Sequence, residues 1–547
     1  MTMIELLPER ASFRVDEPVR VEVRGGEPRA AGNVRVLRLG DIVGEVSHDG
    51  GAWVELGVLP AGGYGVELVR DGEVLARTAL EVASDTRGRL RYGFVAAYPP
   101  GADAEPVADT VRRLHLTGVQ FYDWAYRHAE LLGGGEQYDD ALGQPVSLDT
   151  VRRYADAVRA AGADPLGYAA VYAVGPAEWG AWEHDALLDP SGAPYALGDF
   201  LFIVDPAAPD WLTHLREDLA ASADRVGFTG FHLDQYGYPK LAERADGAVV
   251  DVAESFQTMI EGVRAELPEA RLVFNQVNDF PSWRTASAPQ DAVYIEPWEP
   301  QTTLGAIAAT AARARLLGGE RPVVLAAYQH VYDSAEASAA DRATRLTMAA
   351  LASHGATQLL AGEADRILVD PYYVRNHVVE PSTAELLRRW YDFLVEHDEL
   401  LLDPAIADVT AAYAGDYNGD LDVSYVDAAV SEEATAGKVW RRITAAGGRL
   451  VVHLVNLVGQ DDTLWDAARH PFGDPGAGSL RVRTVRGRVP RVRVADPDAA
   501  GHLVDVPLRA DGDHVVAELP PLAAWQLVLV ELDPEPRPSA PDAGETR

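Results

Sequence analysis

Two short apolar runs in this sequence end on an acid. Gly230-Phe231-His232-Leu233-Asp234-Gln235-Tyr236-Gly237 reads as a buried β-strand closing on Asp234. Asp291-Ala292-Val293-Tyr294-Ile295-Glu296-Pro297-Trp298 reads as a second strand, closing on Glu296. In a parallel α/β barrel, residues at the C-terminal strand ends face one pocket. A pair of carboxyls there, flanked by Trp and Tyr, fits hydrolysis of a glycosidic bond. One carboxylate attacks the anomeric carbon; the other protonates the leaving oxygen and then activates water. The first must be hydrogen-bonded and ionised, while the second needs neighbours that raise its pKa. His232, two residues before Asp234 on the same strand face, is a local donor for Asp234. Glu296 lies in a more apolar setting, between Ile295 and Pro297-Trp298. These settings favour Asp234 as nucleophile and Glu296 as acid/base, and residue types alone leave the reverse open. The chemistry requires the two carboxyls, 62 positions apart (296 − 234), to meet at roughly 5 to 6 Å.

Other readings of the same residues compete. An acid at a strand end can cap a helix or pair with an arginine. His232 and Asp234 could ligate a metal on one strand face, with His128, His330 and Asp365 completing the centre. That pattern is unspecific, and the His-x-His pair of barrel metallohydrolases is absent, so no metal or cofactor is expected. A non-catalytic carbohydrate-binding protein would account for the aromatics but not for the paired acids. The His232 ring itself reads as a satisfied core histidine. His128 is open between core and site. Trp179 and Trp182 could fill a loop core or stack on sugar; Trp465 and Trp525 read as core.

The pair needs a scaffold, and the stretch from Tyr92 onward supplies one. Eight short apolar strands are expected, at Tyr92 to Tyr98, Gly118 to Trp124, Pro165 to Tyr172, Gly230 to Asp234, Leu272 to Asn278, Ala292 to Glu296, Pro322 to Tyr328 and Gln358 to Ala361. Helical segments such as Leu148 to Ala161, Val252 to Leu267 and Ala337 to Ser353 alternate with them. Eight strand–helix units over about 300 residues match a (β/α)8 TIM barrel. Its strand ends offer Tyr98, then Asp123, Trp124 and His128, then Asn275 and Asn278, Tyr328, and Glu363. The long loop Gly175 to Asp199 follows the third strand.

The flanks read as all-β. Residues 1–88 alternate apolar and charged positions (Val19, Val21, Val23) and carry an Asp71-Gly72 hairpin turn, which predicts an immunoglobulin-like β-sandwich. The barrel is assigned to 89–402 and a C-terminal β-sandwich to 403–533. The Pro- and Ala-rich segment 534–547 is expected to be disordered.

Composition narrows the partners. The chain has 547 residues and a formal net charge of -36. So acidic a surface repels phosphate backbones and anionic lipid, so neither nucleic acid nor membrane is an expected partner. With no cysteine there are no disulfides or thiolate metal sites. No basic leader with an apolar core and no apolar run of about 18 residues is visible, so the chain reads as cytoplasmic; a secreted chain stripped of its leader would read the same.

Four barrel segments in order resemble glycoside hydrolase family 66, the dextranase and cycloisomaltooligosaccharide glucanotransferase family. They are Gln120-Phe121-Tyr122-Asp123-Trp124-Ala125-Tyr126-Arg127-His128, Phe231 to Gly237, Asn275-Gln276-Val277-Asn278-Asp279 and Val293 to Trp298. Val455-Asn456-Leu457-Val458-Gly459 and Leu464-Trp465-Asp466 are similar as well. The resemblance implies a retaining enzyme acting on α-1,6-linked glucan, with Asp234 as nucleophile and Glu296 as acid/base. It implies that Asp123, Trp124 and His128 line the glucosyl site, with Tyr98, Asn275, Asn278, Trp298 and Glu363 as further substrate-binding candidates. The cyclising members carry a large carbohydrate-binding insertion in the barrel, and none of that size is evident between these strands. A dextranase-like hydrolase is therefore expected, with cycloisomaltooligosaccharide transfer as the alternative.

Overall fold

A computed structural model describes residues 4–26, 31–415, 417–485 and 488–531. The chain forms two compact units. One comprises residues 1–404 with 462–471, the other 405–461 with 472–547. Residues 1–88 and the barrel, expected as separate domains, thus lie in one unit. The segment 534–547 falls outside the described residues.

In the N-terminal part, a three-stranded sheet faces a five-stranded one. Strand Pro18–Arg24 (PVRVEVR) buries every second residue, so Val19, Val21 and Val23 form one apolar face. That face packs on Val34, Val36, Val66 and Leu68 of the other sheet, giving a single core. Asp71 and Gly72 both adopt left-handed φ (54° and 87°) and close the hairpin where Arg70 pairs with Glu73.

The barrel is an eight-stranded parallel sheet, consecutive in sequence order. Its strands are β1 (Tyr92–Val95), β2 (Gly118–Phe121), β3 (Asp164–Ala170), β4 (Gly230–Asp234), β5 (Arg271–Val277), β6 (Ala292–Glu296), β7 (Val323–Leu325) and β8 (Ala356–Gln358). Burial on both faces explains why these strands read as continuous apolar runs rather than as alternation. Seven long helices cover the outside: α1 (Glu105–Arg113), α2 (Leu148–Ala160), α3 (Pro209–Val226), α4 (Val252–Glu266), α5 (Leu304–Gly318), α6 (Ala337–Ser353) and α7 (Pro381–Glu396). Local chemistry sets their starts. Ser147, Asp251 and Thr303 cap the backbone N–H groups of α2, α4 and α5. The expected eighth helix, between β5 and β6, is only the single turn Ser282–Thr285.

Strands β1 and β8 end the hydrogen-bonded order. Their seam is fastened by other groups. The Thr357 hydroxyl donates to Leu90 O at 2.6 Å, and the Glu363 N–H donates to Phe94 O at 2.7 Å. Gly362 makes this approach possible, because a Cβ there would stand 2.2 Å from Phe94 O.

In the second unit a seven-stranded and a four-stranded sheet share one core, with Val423, Leu480 and Val482 against Val452, Leu454 and Val528.

Candidate active site

Strands β4, β5 and β6 are neighbours, and their register brings three polar residues together. Leu233 pairs with Phe274, Asn275 with Tyr294, and Val277 with Glu296. Asn275 therefore stands between the two strand-ending acids. Its Nδ2 donates to Asp234 Oδ1 at 2.7 Å and to Glu296 Oε2 at 2.7 Å. Both partners are carboxylates, which accept when ionised, so the amide nitrogen rather than its oxygen must face them. The two accepting oxygens can be no farther apart than twice the hydrogen-bond distance. The second Asp234 oxygen accepts from the Tyr168 hydroxyl of β3 at 2.8 Å.

These contacts set the electrostatics. Burial pushes the Asp234 carboxyl up, hydrogen bonds from Asn275 and Tyr168 pull it part of the way back, and it stands at about 6. Burial, with the neighbouring charge of Asp234, drives Glu296 to about 7, against hydrogen bonding from Asn275, Trp298 and Tyr328. A third acid, Asp123, is raised to about 8 by burial and by the charges of Asp140 and Asp234.

The acids open into a cavity of about 480 Å³. Of the residues expected at the site, Asp123, His128, Asn275, Asn278 and Trp298 line it together with Asp234 and Glu296. Tyr98, Trp124 and Glu363 do not. The Tyr98 hydroxyl donates to Val95 O (2.9 Å) and Tyr122 O (3.0 Å), and its ring stacks on Phe121. Trp124 is fully buried, and its indole N–H donates to Tyr168 O at 3.1 Å. Glu363 accepts from Asn376 at 3.1 Å and from the backbone N–H groups of Ala96 and Ala97, which makes it part of the barrel seam. The reason is common to the first two. Strands β1 and β2 stop three residues earlier than the apolar pattern runs, and Asp123 turns the chain with φ 45°.

His232 lines the cavity but is not the donor to Asp234. Its Nδ1 lies 3.2 Å from the Tyr92 hydroxyl, and its ring stacks on Tyr92 and Tyr168. Burial holds it neutral, with a pKa of about 3. His128 packs edge-on against Phe200 and is also held neutral, at about 4. Trp179 and Trp182 fill the loop after β3, on Phe202 and Trp211. His330 and Asp365 stand away from the cavity, and among the described residues no three His, Asp or Glu side chains converge to hold a metal ion.

Two tyrosines escaped the sequence reading. Tyr168 sits inside β3, within a run read only as apolar. Tyr373, in a turn beyond β8, stacks on Tyr122 at 4.3 Å, and its hydroxyl lies 3.3 Å from that of Tyr294. The Tyr372-Tyr373 doublet was the only local signal for it.

The sequence profile of Glycosyl hydrolase family 66 matches residues 59–529. The chain belongs to glycosyl hydrolase family 66. A family relative, the cycloisomaltooligosaccharide glucanotransferase of Niallia circulans, is 26% identical over 47% of this chain and 29% of its own length. The dextranase of Streptococcus salivarius is 23% identical over 71% of this chain and 55% of its own. The chain thus spans 29% to 55% of the length of the curated relatives it matches. The crystal structure of Paenibacillus sp. cycloisomaltooligosaccharide glucanotransferase complexed with cycloisomaltoheptaose superposes with a TM-score of 0.84 at 18% identity, covering 96% of this chain and 100% of that one. The family 66 fold therefore extends over nearly the whole chain. Among the described residues no helix is long and apolar enough to cross a membrane.

Proposed function

We propose that this family 66 enzyme is a retaining glycoside hydrolase that cleaves α-1,6-glucosidic linkages in dextran or in linear or cyclic isomalto-oligosaccharides. The observation that carries the reading is the shared amide. Asn275 holds oxygens of Asp234 and Glu296 within twice 2.7 Å of each other. Retaining glycosidases keep their carboxyls about 5–5.5 Å apart, whereas inverting ones leave about 6.5–9.5 Å for a water between them.

Asp234, stabilised as the anion by two donors, attacks the anomeric carbon and displaces the leaving oxygen. Glu296, raised to about 7, retains a proton near neutrality and delivers it to that oxygen. A glucosyl ester on Asp234 results. Glu296, now ionised, removes a proton from water, which attacks the same carbon from the opposite face and frees Asp234. Two inversions return the original α configuration. Trp298 offers a partly exposed ring at the cavity wall for a sugar's C–H face. The names of the relatives, a dextranase and cycloisomaltooligosaccharide glucanotransferases, support the choice of linkage.

The test is product analysis on dextran, linear isomalto-oligosaccharides and their cyclic forms, with NMR of the first anomer released. The expected result is shorter linear isomalto-oligosaccharides appearing first as the α-anomer. Cyclic products from linear substrate would replace hydrolysis with transfer, and a first-formed β-anomer would overturn the double displacement.

A further inference from the structure

Residues 462–471 belong to the same compact unit as the barrel, although residues 405–461 separate them from it in sequence. They lie along the loop that follows β6. The Leu304 N–H donates to Thr463 O at 2.8 Å, and Leu464 pairs with Thr303 in an isolated antiparallel bridge. The Trp465 N–H donates to Thr302 O at 3.1 Å, and its indole N–H to Gln301 O at 2.7 Å. Three consecutive residues thus hold four consecutive residues of the loop. Asp466 accepts from the Val331 N–H at 2.8 Å, tying in the loop after β7. Arg469, almost wholly buried, fixes the segment's own bend through Asp462 at 2.7 Å.

From Gln301 the contacts run inward to the acid. Gln301 Nε2 donates to Asn278 Oδ1 at 2.9 Å, which also accepts from the Trp298 N–H at 3.3 Å. The Gln301 N–H donates to Trp298 O at 2.7 Å, and the Asn278 N–H to Glu296 O at 2.8 Å. Trp298 is 42% exposed, so little side-chain packing holds it and its place depends on this backbone network. It is also one of the groups whose hydrogen bonding tunes Glu296.

We infer that Trp465 is a positioning residue for Glu296, acting through Gln301, Asn278 and Trp298. The inference rests on the reading of Glu296 as acid/base. Proton delivery demands that Glu296 meet the leaving oxygen within about 2.6–3.2 Å. A displacement of about 1 Å costs on the order of 10²-fold in rate. A loop anchored only by its own two ends would not hold Trp298 and Glu296 to that tolerance.

Trp465→Phe keeps the ring in its packed place and deletes the N–H. Two readouts follow. The first, independent of activity, is hydrogen–deuterium exchange. Exchange in the peptide spanning 296–304 is expected to quicken by roughly five- to tenfold, the worth of one hydrogen bond, while residues 271–277 of β5 stay unchanged. The second is leaving-group dependence. Turnover of an unactivated isomalto-oligosaccharide is expected to fall about tenfold, while a nitrophenyl glycoside, whose leaving group needs no proton, is nearly unaffected. Gln301→Leu, which cuts the link to Asn278, should reproduce both effects and serves if the first variant fails to fold. Unchanged exchange at 296–304, or equal losses on the two substrates, would overturn the inference. Wild-type enzyme that turned over neither substrate would overturn the hydrolase reading itself, and that result is independent of either variant.

Discussion

Asp234 and Glu296 accept hydrogen bonds from the same atom, Nδ2 of Asn275, each at 2.7 Å. One amide thus fixes the carboxyl spacing and adds to the stability of both anions. Its two N–H bonds diverge, so neither acid can approach the other without breaking one contact. The atom that both acids contact belongs to β5, the strand that lies between theirs.

The first consequence concerns Asp234. On the proposed double displacement, Asp234→Ala removes the nucleophile and should lower turnover by several orders of magnitude, because the covalent route is lost. The fold should survive, since the residue ends a strand at a cavity and holds no apolar core. Circular dichroism and thermal melting check the fold while rate assays check the loss. Near-normal turnover in a folded variant would remove Asp234 from the mechanism.

Glu296→Gln separates the two half-reactions. Substrates with poor leaving groups should lose roughly 10²- to 10⁴-fold, the usual worth of a positioned acid. Nitrophenyl glycosides should still form the covalent ester, which then accumulates because no base activates water. Azide, which needs no deprotonation, should release it as the α-glycosyl azide. A variant insensitive to azide, with both substrate types equally slowed, would contradict the acid/base role.

The two acids were legible because each closes a fully buried apolar run, where a lone carboxylate stands out. Strands β4 and β6 match their expected limits for the same reason. Tyr98 and Trp124 misled because apolar and aromatic residues continue past the ends of β1 and β2. The turn at Asp123 leaves no composition signal, since Asp tolerates left-handed φ better than most residues. Glu363 looked like a site acid by the rule that found Asp234, yet it serves the seam between β1 and β8. That seam depends on which strand lies beside which, a long-range fact. The bridging role of Asn275 is long-range too. Its identity was visible, but its service to two carboxylates exists only once β4, β5 and β6 are in register.

Tyr168→Phe tests how Asp234 is kept ionised. The phenol donates to the carboxylate at 2.8 Å and favours the anion. Its removal should raise the Asp234 pKa from about 6, since burial then acts against fewer donors. A hydrogen bond to a charged group is worth about 1.5–3 kcal/mol, or roughly one to two pKa units. The acid limb of kcat/KM should therefore move to higher pH and the maximum should fall, because the Asp234 titration then meets that of Glu296, at about 7, and the fraction with Asp234 ionised and Glu296 protonated shrinks. An acid limb that stays in place would remove the phenol from the control of Asp234.

The last test concerns stability at the base of the barrel. Arg91, just before β1, donates to Glu81 at 2.7 Å and to His115 O at 2.5 Å, and both charged side chains are buried. Burial pushes the Glu81 carboxyl up, but the Arg91 guanidinium outweighs it and holds the pKa below the ordinary carboxylate value. Arg91→Met would strand a buried carboxylate at a cost of about 3–5 kcal/mol. The double variant Glu81→Leu with Arg91→Met removes both charges and should recover most of that loss, since apolar replacement of a buried pair is often neutral or better. The sign with pH follows from the lowered pKa. The pair's contribution is complete above the unfolded carboxylate value of about 4.3 and fades as pH falls through the lower folded value. Denaturant melts from pH 7 to 3 should accordingly show a shallower acid decline in the double variant than in the wild type. An equal decline in both would mean that Glu81 takes up no more protons on unfolding than in the folded chain.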